Sequence, residues 1–179
     1  SRGDGFPRLG CDARRRRRPA PRPVLGKEID SGGVRKYAFC VHRIPVGVFG
    51  ASGYAGRELC SLINAHPRFE LAYATANAQR GERALLGGRE VTFLAPDDAP
   101  IPQAELVFSA LPHGASASWI ARAREEGVRA IDLSSDLRPG HSAVHVPYGL
   151  TEVAREQLRG AEVIANPGCY PTAILLSLV

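Results

Sequence analysis

Methionine is absent from the 179 residues and tryptophan occurs once. The four cysteines, Cys11, Cys40, Cys60 and Cys169, form no CxxC or CxxH pair. Without that spacing a zinc ribbon and a thioredoxin-like motif are both excluded, and no metal site is expected. Four scattered cysteines do not make a disulfide scaffold either, so a reducing, cytoplasmic setting is expected. No apolar run approaches the roughly 18 residues that cross a bilayer, which removes a membrane partner. What remains is an ordinary globular composition, 44% hydrophobic, on a chain long enough for one well-packed domain. The chain begins at Ser1 without a methionine and reaches Val179 inside a helix-like run, so it reads as the N-terminal piece of a longer protein.

A net charge of +5 suggests a polyanion partner until it is divided. Residues 1–43 hold 12 Lys and Arg against 4 Asp and Glu, whereas residues 44–179 hold 11 against 14. The basicity belongs to the tail, and the body gives no case for nucleic-acid binding. In the tail, Arg14–Arg18 is followed by Pro19, Pro21 and Pro23 with no periodicity that would bury a face, so residues 1–43 are expected to be disordered. An import or nucleic-acid patch, a transit peptide and an inert or artefactual extension are the competing readings.

Residues 44–75 read as strand, turn, helix, strand. Ile44-Pro-Val-Gly-Val-Phe49 is a short apolar strand, and Gly50-Ala-Ser-Gly53-Tyr-Ala-Gly56 follows at once. Leu59, Leu62 and Ile63 then mark a helical face that ends by His66-Pro67, and Glu70–Thr75 resumes as a strand. In that context the glycine string predicts a dinucleotide site, with Gly50, Ser52, Gly53, Tyr54, Ala55 and Gly56 around a pyrophosphate at the helix start. The alternative is a glycine-rich turn with no ligand. After the second strand, Thr75-Ala-Asn-Ala-Gln-Arg80 has no acid for a ribose 2′-hydroxyl, and Arg80 can pair with a 2′-phosphate, which favours NADP. An exposed loop arginine is the competing reading.

Residues 81–103 are expected to be a loop with one short strand, Val91–Leu94. Ala104–Leu111 is a buried strand ending at Pro112-His-Gly114, and a helix is predicted from Ser116 to Glu126 with Gly127 as its stop. Val128–Leu133 is the next strand, and a short helix follows from Thr151, as N-cap, to about Arg159. The alternation predicts an α/β fold, a Rossmann-type doubly wound parallel sheet. Ligands of such sheets lie beyond the carboxyl ends of the strands. Pro112, the Ser134–Arg138 segment and the Asn166–Cys169 turn all fall there. In Asn166-Pro-Gly-Cys169-Tyr-Pro-Thr172, Pro171 is expected to open a helix, which sets Cys169 at a helix N-terminus that favours a nucleophilic thiolate. A buried, inert cysteine in a strand-to-helix turn is the alternative.

Four segments in order, Gly50–Leu59, Leu106–Gly114, Ile131–Arg138 and Asn166–Ala173, resemble N-acetyl-γ-glutamyl-phosphate reductase over residues 44–179. The resemblance implies NADPH-dependent reduction of an acyl phosphate to N-acetylglutamate 5-semialdehyde in arginine biosynthesis, with phosphate released. It implies Cys169 as the nucleophile that forms a thioester, Arg80 and Pro112 on the cofactor, and Ser134, Arg138 and Asn166 on the substrate. It divides the body into a cofactor domain, 44–165, and the start of an α+β catalytic domain, 166–179. The rest of that domain would hold the acid/base histidine, matched by no residue here, and the contacts of a homo-oligomer. Residues 1–179 alone are therefore expected to be inactive. The segment between Arg138 and Tyr148 is shorter than the family's.

The alternatives are a sister acyl-phosphate reductase, of the aspartate-semialdehyde or carrier-bound aminoadipyl type, and a non-catalytic dinucleotide-binding fragment. A nucleic-acid binder working through the basic tail is the third.

Overall fold

The computed structural model describes residues 25–29, 35–39, 42–142 and 145–178 of the chain. It separates into two units, Ser1–His42 and Arg43–Val179. In the first, strand β1 (Leu25–Ile29) pairs antiparallel with β2 (Arg35–Phe39), Leu25 facing Phe39 and Ile29 facing Arg35. These two segments depart from the disorder expected across 1–43. The Arg14–Arg18 run lies outside the described residues.

In the second unit five parallel strands form one sheet. They are β3 (Ile44–Phe49), β4 (Phe69–Ala74), β7 (Leu106–Ser109), β8 (Arg129–Asp132) and β9 (Val163–Ala165), in the order β4-β3-β7-β8-β9. Strand β3, inside the sheet between β4 and β7, is a continuous apolar run because both its faces are covered. Val46 and Val48 point to one side, into a cluster with Cys60 and Ile63 of helix α1 (Tyr54–Ala65). Phe49 points to the other, into a cluster with Trp119 and Ala123 of α2 (Ser116–Glu125). Gly56, Cys60 and Ile63 on α1, and Ser116, Ile120 and Ala123 on α2, share the i, i+4, i+7 spacing of a single buried stripe. Helices on opposite faces of a parallel sheet make the doubly wound architecture expected. Gly127, with φ +75°, ends α2 in the left-handed conformation that suits glycine.

Three local expectations need correction. Residues 81–103 are not a loop with one strand. Arg83–Leu86 (β5) and Arg89–Thr92 (β6) form a hairpin turned by Gly87 and Gly88, both at positive φ, and Leu94 makes a single parallel bridge to Thr75. Helix α3 spans Thr151–Leu158 and is preceded by Leu150 as N-cap, so Thr151 is its first residue and caps nothing. Helix α4 starts at Cys169, not Pro171, and spans Cys169–Leu176. Pro171 is its third residue, still within the first turn, whose N–H groups have no intrahelical partner for proline to remove.

Among the described glycines of the unit, the closest approach of backbone to backbone lies under the first turn of α1. A Cβ at position 56 would stand 2.2 Å from the Gly50 carbonyl oxygen and 2.7 Å from Ala51 Cα, all backbone. Gly56→Ala is expected to destabilise the protein by at least about 2 kcal/mol in urea unfolding, the scale of an overpacked core position. An unchanged midpoint would show that α1 does not lie this close to the turn.

Candidate functional site

The site is built where the strands end. Phe49 closes β3, and Gly50 turns the chain with φ +76° while a Cβ there would meet Ala110 O at 2.6 Å. Gly50 and Gly56 are thus required by packing. Gly53 is not: its nearest neighbour to a Cβ would be Gly50 O at 3.6 Å, and the residue is exposed. Gly53 is also the N-cap of α1, and no side chain caps that helix. The start of this twelve-residue helix is thus a bare, exposed backbone whose first N–H groups have no side-chain cap, beside exposed Tyr54 and Ala55. This arrangement fits a pyrophosphate. Ser52 is half-buried and its carbonyl accepts a hydrogen bond from Arg57 Nε at 2.9 Å. Arg80 is exposed in the loop after β4.

At the ends of β7 and β8 lies a buried polar cluster. Asp132 and Ser109 are direct neighbours in the sheet, both fully buried, and Ser116 at the start of α2 is buried against them. Ser116 Oγ donates to Asp132 Oδ1 at 2.5 Å, and since a hydroxyl has one proton, the 2.6 Å bond between Ser109 and Ser116 runs from Ser109. Asp132 also accepts from the Ser134 hydroxyl and N–H, at 2.8 and 3.0 Å, and from Leu137 N at 3.3 Å. Ser134 is 2% exposed, and its oxygen accepts from Asp136 N as well. It forms the floor of the turn, its hydroxyl engaged by Asp132 and Asp136.

Asp136 reaches back to the start of α2 and accepts from the N–H groups of Gly114, Ser116 and Ala117, at 2.7, 2.9 and 3.2 Å. It is the cap that α2 lacks in its own sequence. Partial burial pushes its carboxyl up, but these three N–H bonds outweigh that and hold it below the usual carboxylate value. His113 sits in the same weld, its Nδ1 accepting from Ser135 N at 2.9 Å. Pro112 stands exposed on the rim. Neither Asp132 nor Asp136 was singled out by sequence reasoning.

The third turn is tied to the second by Arg138. Its Nε donates to Asn166 O at 2.9 Å and its Nη2 to Leu133 O at 2.8 Å. Its Nη1 lies against Gly168, where a Cβ would stand 2.9 Å away. Asn166 itself is held by its N–H to Asp132 O, 2.8 Å, and its Nδ2 donates to Pro167 O. Gly168 caps α4, Thr172 N closes the first helical bond to its carbonyl at 3.0 Å, and Cys169 is the exposed first residue. Cys60, by contrast, is fully buried and burial pushes its thiol up to about 12, which makes it inert. Cys11 and Cys40 lie outside the described residues. Among the described residues no three His, Cys, Asp or Glu side chains could hold a metal, and no helix is long and apolar enough to cross a membrane.

Residues 45–161 match the family model described as semialdehyde dehydrogenase, NAD binding domain. Among curated proteins, the chain is 39% identical over 160 residues to an N-acetyl-γ-glutamyl-phosphate reductase of Neisseria meningitidis serogroup C, covering 76% of this chain and 46% of that protein. It is 35% identical over 157 residues to the reductase of the same name from Ruthia magnifica, covering 75% and 46%. The chain thus spans about half the length of the curated relatives it matches. Among solved structures, aspartate semialdehyde dehydrogenase II of Vibrio cholerae, in complex with ASA, superposes with a TM-score of 0.66 at 25% identity, over 76% of this chain and 45% of that one.

The Asp136 weld has a pH signature. A carboxyl held below its usual value in the folded state contributes stability above roughly pH 4, and the contribution is lost as pH falls through the folded value. Asp136→Asn is expected to unfold at lower urea than wild type at pH 7, with the gap narrowing toward pH 3. A gap that stays constant or widens on acidification would contradict the role given to Asp136.

Proposed function

Since the chain belongs to the semialdehyde dehydrogenase family through its NAD-binding domain, we propose that the whole protein reduces N-acetyl-γ-glutamyl phosphate to N-acetylglutamate 5-semialdehyde, a step of arginine biosynthesis, with NADPH and Cys169. The observation that carries this reading is the exposed thiol at the first position of α4, on the sheet edge that also bears the uncapped glycine turn. Identities of 35% and 39% to reductases of that name favour this substrate over aspartyl phosphate, which the likeness to aspartate semialdehyde dehydrogenase at 25% would suggest.

Cys169 Sγ attacks the acyl carbonyl, the C–O bond to phosphate breaks, and a thioester forms on the chain's own sulfur. The dipole and unpaired N–H groups of α4 favour the attacking thiolate and stabilise charge on the carbonyl oxygen. Arg138 Nη1, lying against Gly168, is suited to the departing phosphate, and Asn166 shapes the turn through its two backbone-directed bonds. When bound, the reduced nicotinamide would supply the hydride that reduces the thioester carbonyl, and cleavage of the C–S bond then frees the aldehyde and returns the Cys169 thiolate. Gly50, Ser52, Gly53, Tyr54, Ala55 and Gly56 would hold the pyrophosphate, with Pro112 on the rim beside it. Arg80, in a loop with no acid at the end of β4, favours NADP. We read residues 44–165 as the cofactor domain and 166–179 as the opening of a second one. The exposed apolar side chains of α4, Tyr170, Ile174 and Leu176 among them, support that division.

In an assay of the native protein with NADPH, turnover is expected with N-acetyl-γ-glutamyl phosphate and not with aspartyl phosphate. Cys169→Ser is expected to reduce it by more than about a thousandfold, as loss of a covalent nucleophile does, with NADPH affinity unchanged. A preference for aspartyl phosphate, or a Cys169→Ser enzyme near full activity, would refute the proposal.

A further inference from the structure

Arg57 is placed oddly for a residue with no function. It lies in the first turn of α1, where the helix dipole disfavours a cation, and that turn contains no acidic residue to compensate. Among the described residues it makes no ion pair. Its Nε donates to Ser52 O at 2.9 Å, and its guanidinium carbon lies 5.7 Å from the centroid of the Phe93 ring. The ring is almost completely buried, so it is a fixed platform. Two anchors therefore hold the side chain, and its terminal nitrogens have no partner among the described residues.

The platform says which way the charge points. Phe93 N and O are bonded to Glu82 O and Gly81 N, at 3.0 and 2.7 Å, so the ring belongs to the loop that carries Arg80. Leu94, next in sequence, bridges Thr75 on the side of β4 away from β3. The guanidinium thus reaches from the glycine turn across the carboxyl end of β4, away from the pyrophosphate cradle. In dinucleotide sites of this fold the adenosine ribose lies at that strand end.

We propose that Arg57 is a specificity-determining residue that, with Arg80, binds the 2′-phosphate of NADP. The inference rests on the dinucleotide reading of the glycine turn and adds a determinant within the helix to one in the loop. Arginine suits the task because Nε can hold the turn while the two terminal nitrogens engage phosphate oxygens together.

The test is a fluorescence titration of the protein with NADPH and with NADH at low ionic strength, without substrate. Arg57→Gln is expected to weaken NADPH binding about tenfold or more and to leave NADH within about twofold. Arg57→Lys, which keeps the charge but loses the fork, is expected to fall between. Thermal melts check that both variants are folded, and the lysine variant carries the test if the glutamine one is not. Equal weakening of both nucleotides would mean that Arg57 only shapes the turn through Ser52, and unchanged NADPH binding would mean that it faces no phosphate. Either result overturns the proposal. Wild type that binds neither nucleotide, or both alike, defeats the underlying NADP reading before any variant is measured, and the inference falls with it.

Discussion

A buried carboxyl group at the end of a strand holds this site together. Asp132 takes a carboxyl group out of water, which costs several kcal/mol unless its oxygens are bonded. Here they accept from Ser116, twice from Ser134 and from Leu137. Its backbone carbonyl accepts from Asn166 at the start of the cysteine turn. The residue therefore reaches the end of β7 through the Ser109–Ser116 pair, the turn after β8 through Ser134, and the turn after β9 through Asn166. An apolar replacement would leave the buried hydroxyl groups of Ser116 and Ser134 without their acceptor, so the cluster works only as a whole.

Two further polar groups extend this weld to the surface. Asp136 supplies the cap of α2 from a different turn, and Arg138 spans from Leu133 O to Asn166 O while lying against Gly168. Cys169 thus sits at the end of a chain of contacts running back through Asn166 to the buried Asp132, with little freedom at any link. Catalytic groups placed on rigid supports hold their geometry without reorganisation during reaction. The glycine turn is made rigid by different means, close backbone contact at Gly50 and Gly56, which leaves Gly53 as the open position.

Much of what depends on a contiguous stretch was legible in the sequence. The strand–turn–helix around Gly50–Gly56, the stop at Gly127 and the turn bearing Cys169 each carry their own glycine, proline and periodicity. The 83–92 hairpin was equally local, and Gly87-Gly88 announced it, but its strands alternate too weakly to stand out. The polar cluster was not legible, because Ser109, Ser116 and Asp132 meet only through the register of parallel strands far apart in the chain. The burial of Ser134 was hidden for the same reason. A serine in a strand-end turn looks available to a ligand until Asp132 and Asp136 are known to enclose it. The cap of α2 was invisible because it comes from twenty residues away.

The central claim is that Cys169 carries the acyl group. It is tested most directly by mixing the native protein with N-acetyl-γ-glutamyl phosphate in the absence of nucleotide and mapping the product by peptide mass. The account predicts one phosphate released per active site and one N-acetylglutamyl adduct, on the peptide containing Cys169, removed by hydroxylamine as a thioester. Phosphate release with no adduct, or an adduct on another residue, would contradict it.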